Sequence, residues 1–178
     1  GSAANSMTYC VFTDIFEEAG PRFTPFHGGF GLLNTQGIKK AAYFSYVFLN
    51  KLGETELKNS DKESWATKTK DGSVQVLFWD FTNTLPDKIN NQQYYVKDLP
   101  SKFKEKTKIE INGLAKGNYN LEVYKVGYKQ NDVFTDYLAM NKPNQLTKEQ
   151  VKTLKQKNNG EPFFKEKISI DAKGKFTK

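Results

Sequence analysis

The chain has 178 residues, of which 37% are apolar, 14% aromatic and 26% charged. This suits a single domain with or without an appendage, and excludes a complete eightfold β/α barrel, which takes roughly 250 residues. No apolar run approaches the ~20 residues of a membrane helix. The single cysteine excludes an internal disulfide framework and a cysteine-rich zinc site, and the single histidine argues against a histidine-based metal cluster. We therefore expect neither a metal nor another cofactor.

The net charge of +7 arises entirely from residues 61–178, with 22 lysines and 15 acidic residues, whereas residues 1–60 carry five charges of each sign. A basic half raises the possibility of nucleic-acid binding. Arg22 is the only arginine, however, and arginine forms the best bidentate contacts with phosphates and bases. The lysines also alternate with acidic residues, as at 102–106. We therefore favour a solvated lysine-rich surface, with nucleic-acid binding as the weaker alternative.

The first part of the chain, residues 7–53, is predicted to form one β/α unit, after six residues (1–6) that resemble an expression scar. An apolar run at residues 9–12 predicts a buried strand. An acidic loop and a Gly-rich aromatic loop follow, and residues 39–52 have helical spacing that ends at Gly53, a suitable C-cap. One such unit cannot cover both of its faces, so we expect further barrel units, the second part or another copy of the chain to cover it.

Residues 54–178 are predicted to form an antiparallel β-sandwich that lacks its last strand and contains one further helix. Asp71-Gly72 is a strong hairpin signal between strands at 65–70 and 73–81, and the second strand, apolar on both faces, is predicted to be central. The helix begins at a capping box, Thr147 to Gln150. Further alternating segments and turns favour a sandwich: residues 108–112, 119–123 and 167–171, with a hairpin turn at 171–174 before a return strand at 175–178.

The densest group of carboxylates, Glu17 and Glu18 with Asp14 one helical turn earlier, follows the predicted N-terminal strand. Ligands bind at the carboxyl ends of strands in β/α folds, so these side chains are candidates for hydrogen bonds to a polyhydroxylated ligand. An ordinary acidic loop is the simpler interpretation. A catalytic pair is disfavoured, because retaining glycoside hydrolysis needs two carboxyl groups ~5 Å apart that flank the bond, and adjacent side chains point in different directions. The aromatic residues near this loop are Phe12, Phe16, Phe26 and Phe30.

Four other side chains suggest chemistry but have simpler structural interpretations. His27 is expected to satisfy a backbone carbonyl rather than a sugar hydroxyl. Cys10, in an apolar run without a basic neighbour, is expected to be a packed thiol rather than a nucleophile. Trp65 and Trp79 are possible sugar-stacking platforms, but their place in strands favours the core.

Three segments of the first part strongly resemble glycoside hydrolase family 39, which contains β-xylosidases and is related to α-L-iduronidases. They are TYCVFTDIFEE at residues 8–18, PFHGGFGLL at 25–33 and QGIKKAAY at 36–43. The family pattern is roughly S-Y-W-x-F-(S/T)-D-(I/V)-F-E-E, P-F-H-G-G-F-G-L and (H/Q)-G-I-x-K-P-A-Y. A collinear, weaker similarity continues through residues 137–150. Cys10 stands where the family has tryptophan, and Lys40-Ala41 replaces the common K-P.

This resemblance implies a β/α barrel followed by a β-sandwich. Residues 8–52 then correspond to the eighth barrel strand, its active-site loop and its helix, and residues from about 54 onward to the sandwich. The catalytic acid/base and nucleophile glutamates are implied to lie on the fourth and seventh barrel strands, upstream of this chain. Glu17 and Glu18 are implied to hydrogen-bond sugar hydroxyls. Cys10 takes the position of the tryptophan that forms the usual aromatic wall of the sugar subsite.

We therefore predict a C-terminal portion of a retaining glycoside hydrolase similar to family 39 β-xylosidases, inactive alone. The longer enzyme is expected to act on a xylose-containing oligosaccharide or another glycoside. The alternative is a free-standing carbohydrate-binding or scaffold module that binds sugar through Trp65 or Trp79. We expect no nucleic-acid or membrane partner. A homo-oligomer that covers the β/α unit is left open, and no segment indicates a cellular compartment.

Overall fold

The structure, a computed structural model, describes residues 8–15, 22–80, 97–102 and 105–178. In these ranges, loops connect short helices and strands. In chain order they are α1 (Ala41–Leu49), β1 (Thr55–Glu56), β2 (Ser64–Lys68), β3 (Val74–Phe78), β4 (Glu110–Ile111), β5 (Gly117–Val123), α2 (Phe134–Ala139), α3 (Lys148–Lys157), β6 (Phe164–Ile170) and β7 (Phe176–Thr177). The ladders between these strands are antiparallel. Antiparallel sheets with few helices are therefore confirmed as the coarse architecture.

The N-terminal segment does not form the predicted buried strand. Residues 9–12 are mostly exposed, and the backbone meets the following loop through a hydrogen bond from the Leu33 amide to the Phe12 carbonyl (3.0 Å) and one parallel bridge between Thr13 and Leu33. The prediction of a packed thiol at Cys10 is also wrong, because this side chain is exposed. In the described part of the chain, this segment pairs along one edge, and the Tyr9 ring packs edge-on against Tyr46 of α1 with centroids 5.5 Å apart, but most of its side chains stay exposed.

The hairpin predicted around Asp71-Gly72 is confirmed. Strands β2 and β3 pair over their full lengths, and Gly72 has a φ of +91°, a conformation that favours glycine. The sheet order is β1-β2-β3, so β2 is the middle strand. Among the residues described, β3 pairs with β2 alone and lies at the edge of this sheet, where the sequence predicted a central strand. The face that carries Val74, Val76 and Phe78 borders a cavity whose other wall includes residues of β4, and Phe78 at its end is half-exposed.

Strands β5 and β6 pair over seven residues each, near the segments predicted at 119–123 and 167–171. The predicted turn at 171–174 is present: Gly174 has a φ of +65°, and its amide donates to the Asp171 carbonyl (3.1 Å). The following segment does not return along β6. Instead β7 pairs with β4, with Phe176 opposite Ile111. The turn therefore directs the chain to a different sheet, and the predicted hairpin is wrong.

Of the three helices in the described ranges, two follow the sequence pattern. Helix α1 lies within the predicted residues 39–52, but it ends at Leu49 with Asn50 as its C-cap, so the predicted C-cap at Gly53 is wrong. Helix α3 begins at the predicted capping box: the Thr147 hydroxyl accepts from the Gln150 amide (3.2 Å), and the Gln150 side chain accepts from the Thr147 amide (2.8 Å). Helix α2 was not predicted, so the expectation of one further helix is wrong. It has six residues and no side-chain cap at Val133. Packing of its apolar face against the core stabilises it instead. None of the helices in the described ranges is long and apolar enough to cross a membrane.

The main hydrophobic core joins the N-terminal unit to the segment that carries α2 and α3. Phe26 packs against this core, with its ring centroid 5.1 Å from that of Tyr137. The buried Asn158 side chain donates to the Lys39 carbonyl (2.5 Å), which adds a polar link across the same boundary. The chain's own later segments therefore cover part of the N-terminal unit. The buried core residues are Ile38, Val133, Tyr137, Leu146 and Leu154.

Candidate functional site

A buried carboxylate lies at the start of the predicted acidic loop. Asp14 is 1% exposed, and its Oδ1 accepts a hydrogen bond from the Gly31 amide (2.7 Å). The Nζ of Lys40 lies 2.8 and 3.0 Å from the two carboxylate oxygens and also donates to the Gly29 carbonyl (2.6 Å). A buried charge needs a counter-charge and hydrogen bonds. Asp14 and Lys40 therefore form an anchor that joins the acidic loop, the Gly-rich loop and the residue before α1.

Glycine at position 31 allows the two loops to approach so closely. A Cβ at Gly31 would lie 2.4 Å from the backbone nitrogen of Asp14 and 2.4 Å from the carbonyl carbon of Thr13. These separations are far shorter than a carbon atom tolerates, so any other side chain would push the loops apart. Position 31 must therefore be glycine for the two loops to pack closely enough to form the anchor.

A tight turn brings Lys40 back beneath these loops. The buried Asn34 side chain accepts hydrogen bonds from the amides of Gln36 (3.0 Å) and Ile38 (2.8 Å). The Asn34 amide in turn donates to the Ile38 carbonyl (2.9 Å), and the Lys40 amide donates to the Leu32 carbonyl (2.8 Å). Such side-chain bonds to the following backbone are typical of asparagine in turns. The reversal places the Lys40 ammonium within reach of the buried carboxylate.

Exposed aromatic side chains border the anchor. Phe12 and Phe30 are each 61% exposed, and they lie on the two backbone segments that the anchor joins. Phe26, which the sequence placed with them, packs in the core instead. His27 has its Nδ1 3.0 Å from the Thr24 carbonyl oxygen, which confirms the prediction that this ring satisfies a backbone group.

Glu17, Glu18 and Phe16 lie outside the described residues. Asp14, predicted as their neighbour in a carboxylate group, is enclosed by Lys40 and Gly31 and faces away from solvent. The exposed Cys10 precedes this anchor on the same segment. In the part of the chain that the structure describes, no group of His, Cys, Asp and Glu side chains is arranged to hold a metal ion.

Lys40 is the residue of this site whose role the sequence did not indicate. In the sequence, Lys40 is recognisable only as part of the QGIKKAAY segment that resembles the family. Its partner Asp14 is 26 residues away, and no helical or strand periodicity relates two such positions. The available signal was indirect: an acidic residue in an apolar surrounding must find a cation when it is buried.

Trp65 and Trp79 do not occupy the core positions that their strands predicted. They are 42% and 45% exposed. The prediction assumed that both faces of the sheet are covered, whereas in the described part of the chain the face with these two side chains is partly open.

Comparison with known proteins places these features in a family. The chain matches the family model "Glycosyl hydrolases family 39" over residues 1–177. A β-xylosidase from Geobacillus stearothermophilus is 39% identical over 79 residues, which is 44% of this chain and 16% of that protein. A β-xylosidase from Caldicellulosiruptor saccharolyticus is 54% identical over 57 residues, 31% of this chain and 12% of that protein. The chain thus spans a small part of these curated relatives.

Solved structures show similarity over almost the whole chain. The GH39 enzyme from Xanthomonas axonopodis pv. citri superposes with a TM-score of 0.85 at 34% identity, over 93% of this chain and 32% of that one. A monomeric β-xylosidase from Caulobacter crescentus superposes with a TM-score of 0.83 at 31% identity, over 97% of this chain and 34% of that one. The chain spans about a third of either solved protein.

Proposed function

Because this chain belongs to glycosyl hydrolase family 39, we propose that it is the C-terminal portion of a retaining β-xylosidase. The proposal assigns residues 7–53 to the last β/α unit of a catalytic barrel and residues 54–178 to a β-sandwich. One observation carries it: 93% of the chain superposes on a family enzyme, yet covers only 32% of that enzyme. Relatives named as β-xylosidases supply the substrate class.

The reacting carboxylates of this proposed enzyme lie outside the chain. Retaining hydrolysis uses one carboxylate as nucleophile and one carboxyl as acid/base, ~5 Å apart on either side of the scissile bond. Both are assigned to earlier barrel strands. The 178 residues therefore contribute contacts that hold and orient the sugar, and the chain alone is expected to be inactive.

We assign the sugar contacts to the loop that the Asp14–Lys40 anchor begins. Glu17 and Glu18 accept hydrogen bonds from sugar hydroxyls in this proposal, since ionised carboxylates are strong acceptors. The exposed rings of Phe12 and Phe30 offer apolar surface to the hydrophobic face of a pyranose. Cys10 stands at the position of the family's tryptophan and presents a much smaller surface. The buried anchor supports this assignment because it restricts the loop's starting point.

Turnover of an aryl β-xyloside tests the proposal. We expect hydrolysis by the longer protein that contains this chain and none by the 178-residue chain. In the longer protein, Glu17→Gln and Glu18→Gln should each lower kcat/KM by about 10- to 100-fold, because a hydrogen bond to a charged group contributes about 1.5–3 kcal/mol. Glu56→Gln, at an exposed position of β1, is the matched control and should leave kcat/KM unchanged. Hydrolysis by the short chain, or a longer protein without β-xylosidase activity, would contradict the proposal.

A further inference from the structure

Two indole side chains share one face of the β1-β2-β3 sheet. Trp65 lies opposite Leu77 in the β2–β3 pairing. The Trp79 amide donates to the Glu63 carbonyl (3.0 Å), which continues the same register one residue beyond β3. Side chains alternate between the two faces along a strand, so Trp65, Leu77 and Trp79 point to the same side. The two tryptophans are diagonal neighbours, a relation that separates residues by roughly 7–8 Å.

This face presents a large aromatic surface to solvent. Both indoles are more than two-fifths exposed, although burying a large apolar side chain would stabilise the fold. Contiguous exposed aromatic surface is typical of binding sites. Indole rings stack on the apolar face of a pyranose and can also be covered by protein, so the surrounding charges decide between these occupants.

Acidic side chains line a cavity at the end of β3, where Trp79 and the oppositely directed Phe78 both border it. A cavity of about 410 Å³ is lined by Phe78 and Trp79 together with Asp61, Glu63 and Glu105, and none of the described lining residues is basic. Asp61 accepts hydrogen bonds from the Ser64 hydroxyl (2.6 Å) and the Glu63 amide (3.2 Å). These bonds lower the pKa of the Asp61 carboxyl, which keeps it ionised and oriented.

We propose that Trp65 and Trp79 form a carbohydrate-binding surface for a neutral β-linked xylan chain, with the cavity beside Trp79 receiving one of its sugar residues. Sugar hydroxyls donate hydrogen bonds to carboxylates. A covering protein segment without a cation would leave these carboxylates desolvated and unpaired, which is costly. The acidic lining also repels anionic ligands locally, despite the net charge of +7. The choice of xylose rests on the proposed function, whereas the choice of a neutral polyhydroxylated chain rests on this surface.

Calorimetric titration of the 178-residue chain with xylohexaose tests the proposal. We expect saturable binding that weakens at least tenfold in Trp79→Ala, a loss of about 1.4 kcal/mol. Phe163→Ala is the matched control, because it removes an aromatic side chain that is 62% exposed elsewhere on the molecule, and it should leave the affinity unchanged. Absence of binding, or equal affinity in Trp79→Ala, would overturn the proposal.

Tryptophan fluorescence gives a second measurement that does not depend on alanine variants. The chain has only two tryptophans, so Trp65→Phe and Trp79→Phe each leave one indole as the reporter. We expect xylohexaose to shift both emission spectra to shorter wavelength and to protect both indoles from iodide. A response of only one indole would overturn the two-indole surface. Protection that depends on protein concentration and not on sugar would identify a second copy of the chain as the occupant and also overturn it.

The charge argument and the proposed function can be tested separately. A xylo-oligosaccharide with a glucuronate branch should bind more weakly than the unbranched chain at low salt, and equal or tighter binding would overturn the assignment of a neutral ligand. Binding requires no turnover. Loss of xylohexaose binding with β-xylosidase activity intact in the longer protein would refute this surface alone, whereas binding without that activity would refute the proposed function alone.

Discussion

Replacing Lys40 with methionine removes the ammonium that contacts the buried carboxylate of Asp14. The two N···O distances are 2.8 and 3.0 Å, and the side chains are 19% and 1% exposed. Removing one partner of a buried ion pair costs about 3–5 kcal/mol, because the remaining charge is left uncompensated. The Gly31 amide still donates to this carboxylate, and the partly exposed lysine site admits water. We therefore expect the lower end of that range, about 3 kcal/mol.

Urea unfolding monitored by circular dichroism and tryptophan fluorescence measures this effect. With an m-value of about 2 kcal/mol/M, the expected loss lowers the urea midpoint by about 1.5 M. Lys165→Met is the control, because Lys165 and Glu122 form an exposed pair with N···O 3.6 Å. Exposed pairs contribute little, so the midpoint should barely change.

Asp14→Asn gives a sharper test because its effect should change sign. In the wild-type background it removes the carboxylate that compensates Lys40 and should lower the free energy of unfolding. In the Lys40→Met background it removes an unpaired buried charge, while the amide oxygen can still accept from Gly31, and should raise the free energy of unfolding. Equal destabilisation in both backgrounds would refute the reasoning, since the double-mutant cycle would then show no coupling.

Three further predictions concern single groups. Gly31→Ala should lower the free energy of unfolding, measured in urea, by about 1–3 kcal/mol through overpacking. Gly117→Ala, whose Cβ would have its nearest neighbour at 3.9 Å, should leave it unchanged; equal losses would contradict this. The pKa of Tyr124 is raised to about 12 by its hydrogen bond to Glu122 (2.6 Å). Its stabilising contribution is present below the unfolded tyrosine pKa of ~10 and is lost as pH rises toward 12; ultraviolet titration should show Glu122→Gln returning this pKa toward its ordinary value. Burial raises the pKa of Asp132, so its contribution is present in acid and is lost as pH rises through the folded-state pKa. Asp132→Asn should therefore be more stable than wild type in urea at neutral pH, and the difference should disappear in acid; a constant difference would refute this.

Much of the local structure was predictable because it depends on residues close in the chain. The hairpin at Asp71-Gly72, the capping box that begins at Thr147 and the backbone contact of His27 each involve partners only a few residues apart. The family was also predictable, because the three N-terminal segments carry a long and specific pattern. These features need no knowledge of what packs above or below them.

The errors share the opposite property. Helix α2 forms because its apolar face meets Phe26 and the core, and β7 pairs with β4 rather than with the nearer β6. The exposure of Cys10, Trp65 and Trp79 likewise depends on whether another layer covers their segments. A single sequence contains no local signal for such coverage, since apolar runs look alike whether they are covered or open.

The sequence by itself therefore determined the family, the charge distribution, and the hairpin and the capping box, which depend on neighbouring residues. Only the tertiary structure decided that Asp14 is an anchor rather than a ligand-facing carboxylate, and that two indoles remain open beside an acidic cavity. The physical reason is that burial and pairing energies arise between residues distant in sequence. Asp14 and Lys40 are 26 positions apart, and the fold brings their charges together out of water.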